Sequence, residues 1–104
     1  MTGFELKIAE KINPNSNVVR QSIRIPKGAL LNIQLYQAAC PPDPDCYSFI
    51  QFKNEILWVI LSQSTMPIKM RIRGDGLARL ILQAGNDNTL KSFYFNAYVK
   101  GVIS

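Results

Sequence analysis

Along most of this chain apolar and polar residues alternate one by one. Phe4, Leu6 and Ile8 alternate with Glu5 and Lys7, and Leu31, Ile33 and Leu35 with Asn32, Gln34 and Tyr36. Phe93, Phe95, Ala97 and Val99 alternate with Tyr94, Asn96, Tyr98 and Lys100. Successive side chains of a strand point to opposite faces, so a period of two marks a half-buried strand. Shorter runs repeat the pattern: Val19, Ile23 and Ile25 against Arg20, Ser22 and Arg24; Ile68, Met70 and Ile72 against Lys69, Arg71 and Arg73; Leu80 and Leu82 against Arg79 and Gln83. Residues 47–52 are rich in β-formers, and residues 56–61 are apolar without a break. No stretch carries the 3.6-residue apolar stripe of a helix.

These segments amount to about eight strands, separated by short runs of Gly, Pro, Asn, Asp and Ser. The pattern predicts an all-β fold: one antiparallel β-sandwich over residues 1–104, of jelly-roll or immunoglobulin-like topology. A chain of 104 residues, 47% hydrophobic and 18% charged, can bury a core of its own. Its longest apolar run, six residues at 56–61, falls far short of the roughly 20 that a membrane helix needs. The N-terminal stretch MTGFELKIAEK lacks the apolar segment of a signal peptide, and the compartment stays open.

If successive strands run antiparallel, alternate connections collect at opposite ends of the sandwich. One end gathers Asn13 to Asn17, the loop CPPDPDC at residues 40–46, Ser62 to Thr65, and Gly85 to Thr89. Its longer loops hold amides, hydroxyls and Asp43, Asp45 and Asp87. The other end gathers tight turns, with Lys27, Lys53, Arg73 and Arg79 nearby. Binding in sandwiches commonly uses loops held at one end by rigid sheets. The expected ligand-binding residues are therefore Asn15, Asn17, Asp43, Asp45, Ser64, Asn86, Asp87 and Asn88. They suit a glycan or similar polar ligand, whose hydroxyls pair with amides and carboxylates and whose ring stacks on Tyr36, Tyr47 or Trp58. Oxygen atoms of Asp43, Asp45 and Asp87 also match the preference of calcium, although Asn and Asp are equally the ordinary residues of turns.

Three prolines stiffen the loop at 40–46. Cys40 and Cys46 flank it, and two readings stand level: a small disulfide ring, or two reduced thiols at strand ends. Their spacing is not that of a CxxC redox site, and no further Cys or His completes a zinc site. The chain has no histidine at all, which removes the usual general base and the Ser-His-Asp and Cys-His arrangements. No catalytic residues are expected.

Two surfaces remain. The net charge of +5 and the outward Arg20, Arg24, Lys69, Arg71 and Arg73 would form a basic face, open to nucleic acid or sulfated glycan, with Tyr94 and Tyr98 to stack on. Residues 56–61 would need cover on both faces. With Tyr94 and Tyr98, that points to a homo-oligomer interface through Ile56, Trp58 and Ile60. The leading expectation is a non-enzymatic, oligomeric, lectin-like module. The alternatives are a structural assembly subunit (of a capsid, fibre or appendage) and a polyanion-binding protein. Arg73-Gly74-Asp75 is assigned to a turn.

Overall fold

The structure, a computed structural model, describes residues 2–39, 43–60, 64–66 and 70–104. It is all-β, with two antiparallel sheets packed face to face and no helix among the described residues. None of these residues therefore lies in a helix long and apolar enough to cross a membrane.

Nine strand segments follow in chain order: β1 (Thr2–Ile12), β2 (Asn17–Arg24), β3 (Leu30–Ala39), β4 (Cys46–Phe52), β5 (Glu55–Ile60), β6 (Ser64–Met66), β7 (Met70–Arg73), β8 (Arg79–Asn86) and β9 (Phe93–Ile103). The first sheet has the order β1-β9-β3, with β6 and β7 both on the far side of β3. β6 pairs with the Tyr36–Ala38 half of β3 and β7 with its Leu30–Ile33 half, so the two share one row. The second sheet has the order β2-β8-β4-β5. The pairings nest: β1 with β9, β2 with β8, β3 with β6 and β7, β4 with β5. This is a long antiparallel ribbon, turned back at Lys53-Asn54 and rolled so that β9 also meets β3 and β8 meets β4.

The core lies between the sheets. Phe4, Leu6, Ile8, Leu31, Ile33, Phe95 and Val99 point in from the first sheet, and Ile50, Leu80 and Leu82 from the second. Each such side chain contributes about 1.5–3 kcal/mol of hydrophobic stabilisation. In β4 the inward residues are Cys46, Ser48 and Ile50. Close approach is needed at Gly101, where a Cβ atom would collide with the Asn32 carbonyl and the Phe4 ring.

One register feature overturns a simple alternation. β3 carries a β-bulge between Ile33 and Leu35 in its pairing with β9. The extra residue shifts the inward set from odd to even numbers, so that Tyr36, expected to face outward, is fully buried. Tyr36 Oη and Ser48 Oγ share a 2.6 Å hydrogen bond across the core, from one sheet to the other. Ser64 and Thr65, expected in a loop, belong to strand β6.

At the tight-turn end, Gly28 N–H donates to the Gly74 carbonyl and Gly76 N–H to that of Ile25. The Asp75 carboxylate accepts from the backbone N–H groups of Ala78 and Leu77, and Lys53 stands 3.5 Å away. Those two amide bonds, and then the Lys53 charge, hold its carboxyl below the ordinary value of 3.8. Arg73 ends β7, and Gly74 and Asp75 open a connection that crosses to β8 in the other sheet, so the Asp-Gly sequence does not close a hairpin here.

The inter-sheet bond predicts a non-additive pair. Tyr36→Phe should cost about 1–3 kcal/mol by chemical denaturation, because Ser48 Oγ loses its phenolic partner inside the core. Adding Ser48→Ala should recover much of that loss. Additive losses would show the bond to be immaterial.

Candidate functional site

The expected loop end exists as a place. Asn15 N–H donates to the Asn88 carbonyl and Asp87 N–H to the Asp45 carbonyl, which joins three connections that lie far apart in sequence. Asn15 and Ser16 hold positive φ values of 73° and 59°, a conformation that Asn tolerates better than most residues. Ser62 and Gln63, expected at this end, lie outside the described residues, as do Leu61, Cys40, Pro41 and Pro42.

Its polar groups, however, mostly engage one another. Asn86, expected to meet a ligand, is fully buried at the end of β8. Its Nδ2 donates to the carbonyls of Ile12 (3.0 Å) and Lys91 (2.8 Å), and its Oδ1 accepts from Asn88 N–H. Asn88 Oδ1 accepts from Leu90 and Lys91 N–H, and its Nδ2 donates to Asp45 Oδ2. Asp43 Oδ1 accepts from Asp45 N–H. Asn17, the first residue of β2, donates to the Pro14 carbonyl. Asp87 is exposed. Among the described residues no three acidic or Cys groups stand close enough to hold a metal ion. Cys46 is buried, and the ring proposed with Cys40 falls outside the described residues.

The expected basic face is divided. Arg71 and Arg73 point outward from β7 of the first sheet, whereas Arg20 and Arg24 belong to β2, at the edge of the second. Lys69 is outside the described residues. On the second sheet Arg20 Nε donates to Gln83 Oε1 and Arg79 Nε to Ser22 Oγ, so these arginines brace neighbouring strands. The expected interface is divided as well. Ile60 is buried within the sandwich, Trp58 stands opposite buried Ile50 at the sheet edge, and Ile56 is exposed on the second sheet. Tyr94 and Tyr98 lie on the first.

The outer face of the first sheet holds what loop reasoning missed. Strand register sets Lys7 opposite Tyr98, and Tyr98 opposite Gln37 of β3. Glu5 lies opposite Lys100, Ala9 opposite Asn96, and Lys11 opposite Tyr94. On this face the Lys7–Tyr98–Gln37 row lies between the Glu5–Lys100–Leu35 row, with Gly3 and the bulge at Gln34 beyond it, and the Ala9–Asn96–Ala39 row. Two shallow hollows lie here, each about 460 Å³, within the range of ligand sites. Tyr98 lines both. The first is also lined by Glu5, Gln34, Lys100 and Val102, and the second by Lys7, Gln37 and Asn96. Tyr98 Oη donates to Glu5 Oε2 at 2.5 Å, which fixes the ring. The same bond, with the nearby charge, holds the phenol proton more tightly than usual.

Compared with known proteins, the chain matches no family model, no curated protein and no solved structure.

Asn86→Ala should separate a structural from a binding role for the looped end. Three hydrogen bonds are lost inside a buried site, so the melting transition should fall by the equivalent of about 2–3 kcal/mol. Hydrogen exchange should rise at Asn15, Asp87 and Asn88. An unchanged transition would mean that the loops hold together without it.

Proposed function

We propose that the protein is a non-enzymatic, oligomeric binding module of lectin-like kind, and that it takes its glycan or similar polar ligand on the outer face of the first sheet. The observation that carries this reading is the pair of hollows sharing Tyr98. An aromatic ring between planar amides (Gln34, Gln37 and Asn96) is the chemistry that a polyhydroxylated ring demands, with apolar C–H faces to stack and hydroxyls to pair. The looped end is the weaker place, because its amides are already engaged with backbone groups. The site sits on three paired strands, which hold it more rigidly than loops would.

A second reading has its own support. On the outer face of the second sheet apolar residues gather toward β4 and β5 (Tyr47, Phe49, Val59 and Ile56), with Gln51 among them, while the β2 side of the same rows carries Val18, Arg20 and Ser22. Ile56 is 53% exposed and Val59 44%, and the stacked rings of Tyr47 and Phe49 lie beside them. Edge strand β5 has no Lys, Arg or Pro to discourage pairing. In a structural assembly subunit this face would be the working surface. In the lectin-like module it would join copies and make weak sites multivalent. We read the strand order as that of a jelly roll, which lectin and capsid domains share, so topology favours neither reading.

Two measurements divide them. On an oligosaccharide array, Tyr98→Ala should lose binding about tenfold or more while keeping its melting temperature. Array signals untouched by that change would remove the first-sheet site. By light scattering, Ile56→Lys with Val59→Lys should shift the protein from an oligomer to a monomer. A monomeric parent protein would dismiss the second-sheet interface.

A further inference from the structure

On the reading just given, we infer that the ligand of the Tyr98 face is an acidic glycan, one bearing carboxylate or sulfate groups among its hydroxyls. Each hollow has one ammonium group at its wall, Lys100 in the first and Lys7 in the second. Lys7 faces Tyr98 directly, and Lys100 is two residues along the same strand. Lys7 and Lys100 are thus diagonal neighbours, about 7–8 Å apart, and both lie beside the ring. Beyond the hollows the same outer face carries Lys11, Arg71 and Arg73, so that a negative ligand approaches a positive field.

The single carboxylate at the site argues for a sugar rather than a nucleic acid. Glu5 lines the first hollow and already accepts the Tyr98 hydroxyl. It can accept further hydrogen bonds from ligand hydroxyls, which a glycan has in number, while it repels a chain with a phosphate at every unit. Two lysines spaced along amides match a ligand with occasional charges.

The test uses the whole chain with three probes: a hexamer of galacturonate, its neutral methyl ester, and a twelve-residue single strand of thymidylate. Calorimetric titration should show the acid hexamer bound more tightly than the ester. Neutralising two charges should weaken it about sevenfold between 50 and 200 mM salt. Lys7→Gln and Lys100→Gln should each flatten that salt dependence, whereas Arg20→Gln, on the other sheet, should leave it unchanged. Matching melting temperatures would show that the variants fold. If acid and ester bind alike and only Tyr98→Ala matters, the inference falls and the lectin-like reading stands. Preferential binding of the thymidylate overturns the inference in favour of nucleic acid. If no oligosaccharide binds, both fall together.

Discussion

Pairing of the first strand with the last is the constraint on which the candidate site depends. Eleven residues of β1 meet eleven of β9 without a break, from Thr2 opposite Ile103 to Ile12 opposite Phe93. That register sets Lys7 against Tyr98 and Glu5 within reach of its hydroxyl. A slip by one residue would turn Phe4, Leu6 and Ile8 to solvent and bury Glu5 and Lys7, at a cost of many kcal/mol of lost hydrophobic burial and charge desolvation. Core packing therefore holds the outer face in register, although no residue of that face belongs to the core. The contact joins opposite ends of the chain, so the face exists only once the ribbon has rolled up.

The same logic explains what could be read in advance. Strand periodicity is local, and it located the all-β architecture and most of the strands, though not the short β6 at Ser64–Met66. The antiparallel alternation that follows from it brought Asn15, Asp45 and Asn88 to one end, as their hydrogen bonds attest. Strand partners are not local. Nothing in the order of residues says that β9 lies between β1 and β3, and hence that Lys7, Tyr98 and Gln37 share a row. A bulge is similarly silent. Leu31, Ile33 and Leu35 look like one alternating run, and only the pairing with β9 reveals that the inward set changes at Gln34. That single residue moved Tyr36 from an imagined ligand surface to the core.

Polar groups at the looped end illustrate a different ambiguity. Asn and Asp are favoured in turns because their side chains satisfy nearby backbone groups, and the same oxygen atoms would serve a ligand. Composition cannot distinguish these uses, whereas hydrogen-bond geometry can. Asn86 points inward and secures Ile12, Lys91 and Asn88, which makes it a keystone of the loops. On the outer face of the first sheet the backbone is satisfied by the strands themselves. Side chains such as Gln34, Gln37 and Asn96 are then free of that duty, and a flat sheet surface can offer more available amides than a crowded set of loops.

Two sheet faces with opposite chemistry follow from one fold. Each sheet buries one side against the other and leaves a second side whose composition the core does not dictate. In the first sheet that side carries lysines, amides and tyrosines; in the second it carries valine, isoleucine and aromatic rings toward β5, and Arg20, Ser22 and Arg24 along β2. Arginines brace the β2 edge of the second sheet, through Gln83 and Ser22, whereas its β5 edge carries no Lys or Arg. A protein that used only one surface would gain nothing from keeping the other apolar, since exposed apolar rows invite aggregation. If the apolar face joins copies while the polar face meets a ligand, each has a reason to exist. Copies joined back to back would then carry their ligand faces outward, on opposite sides of the assembly.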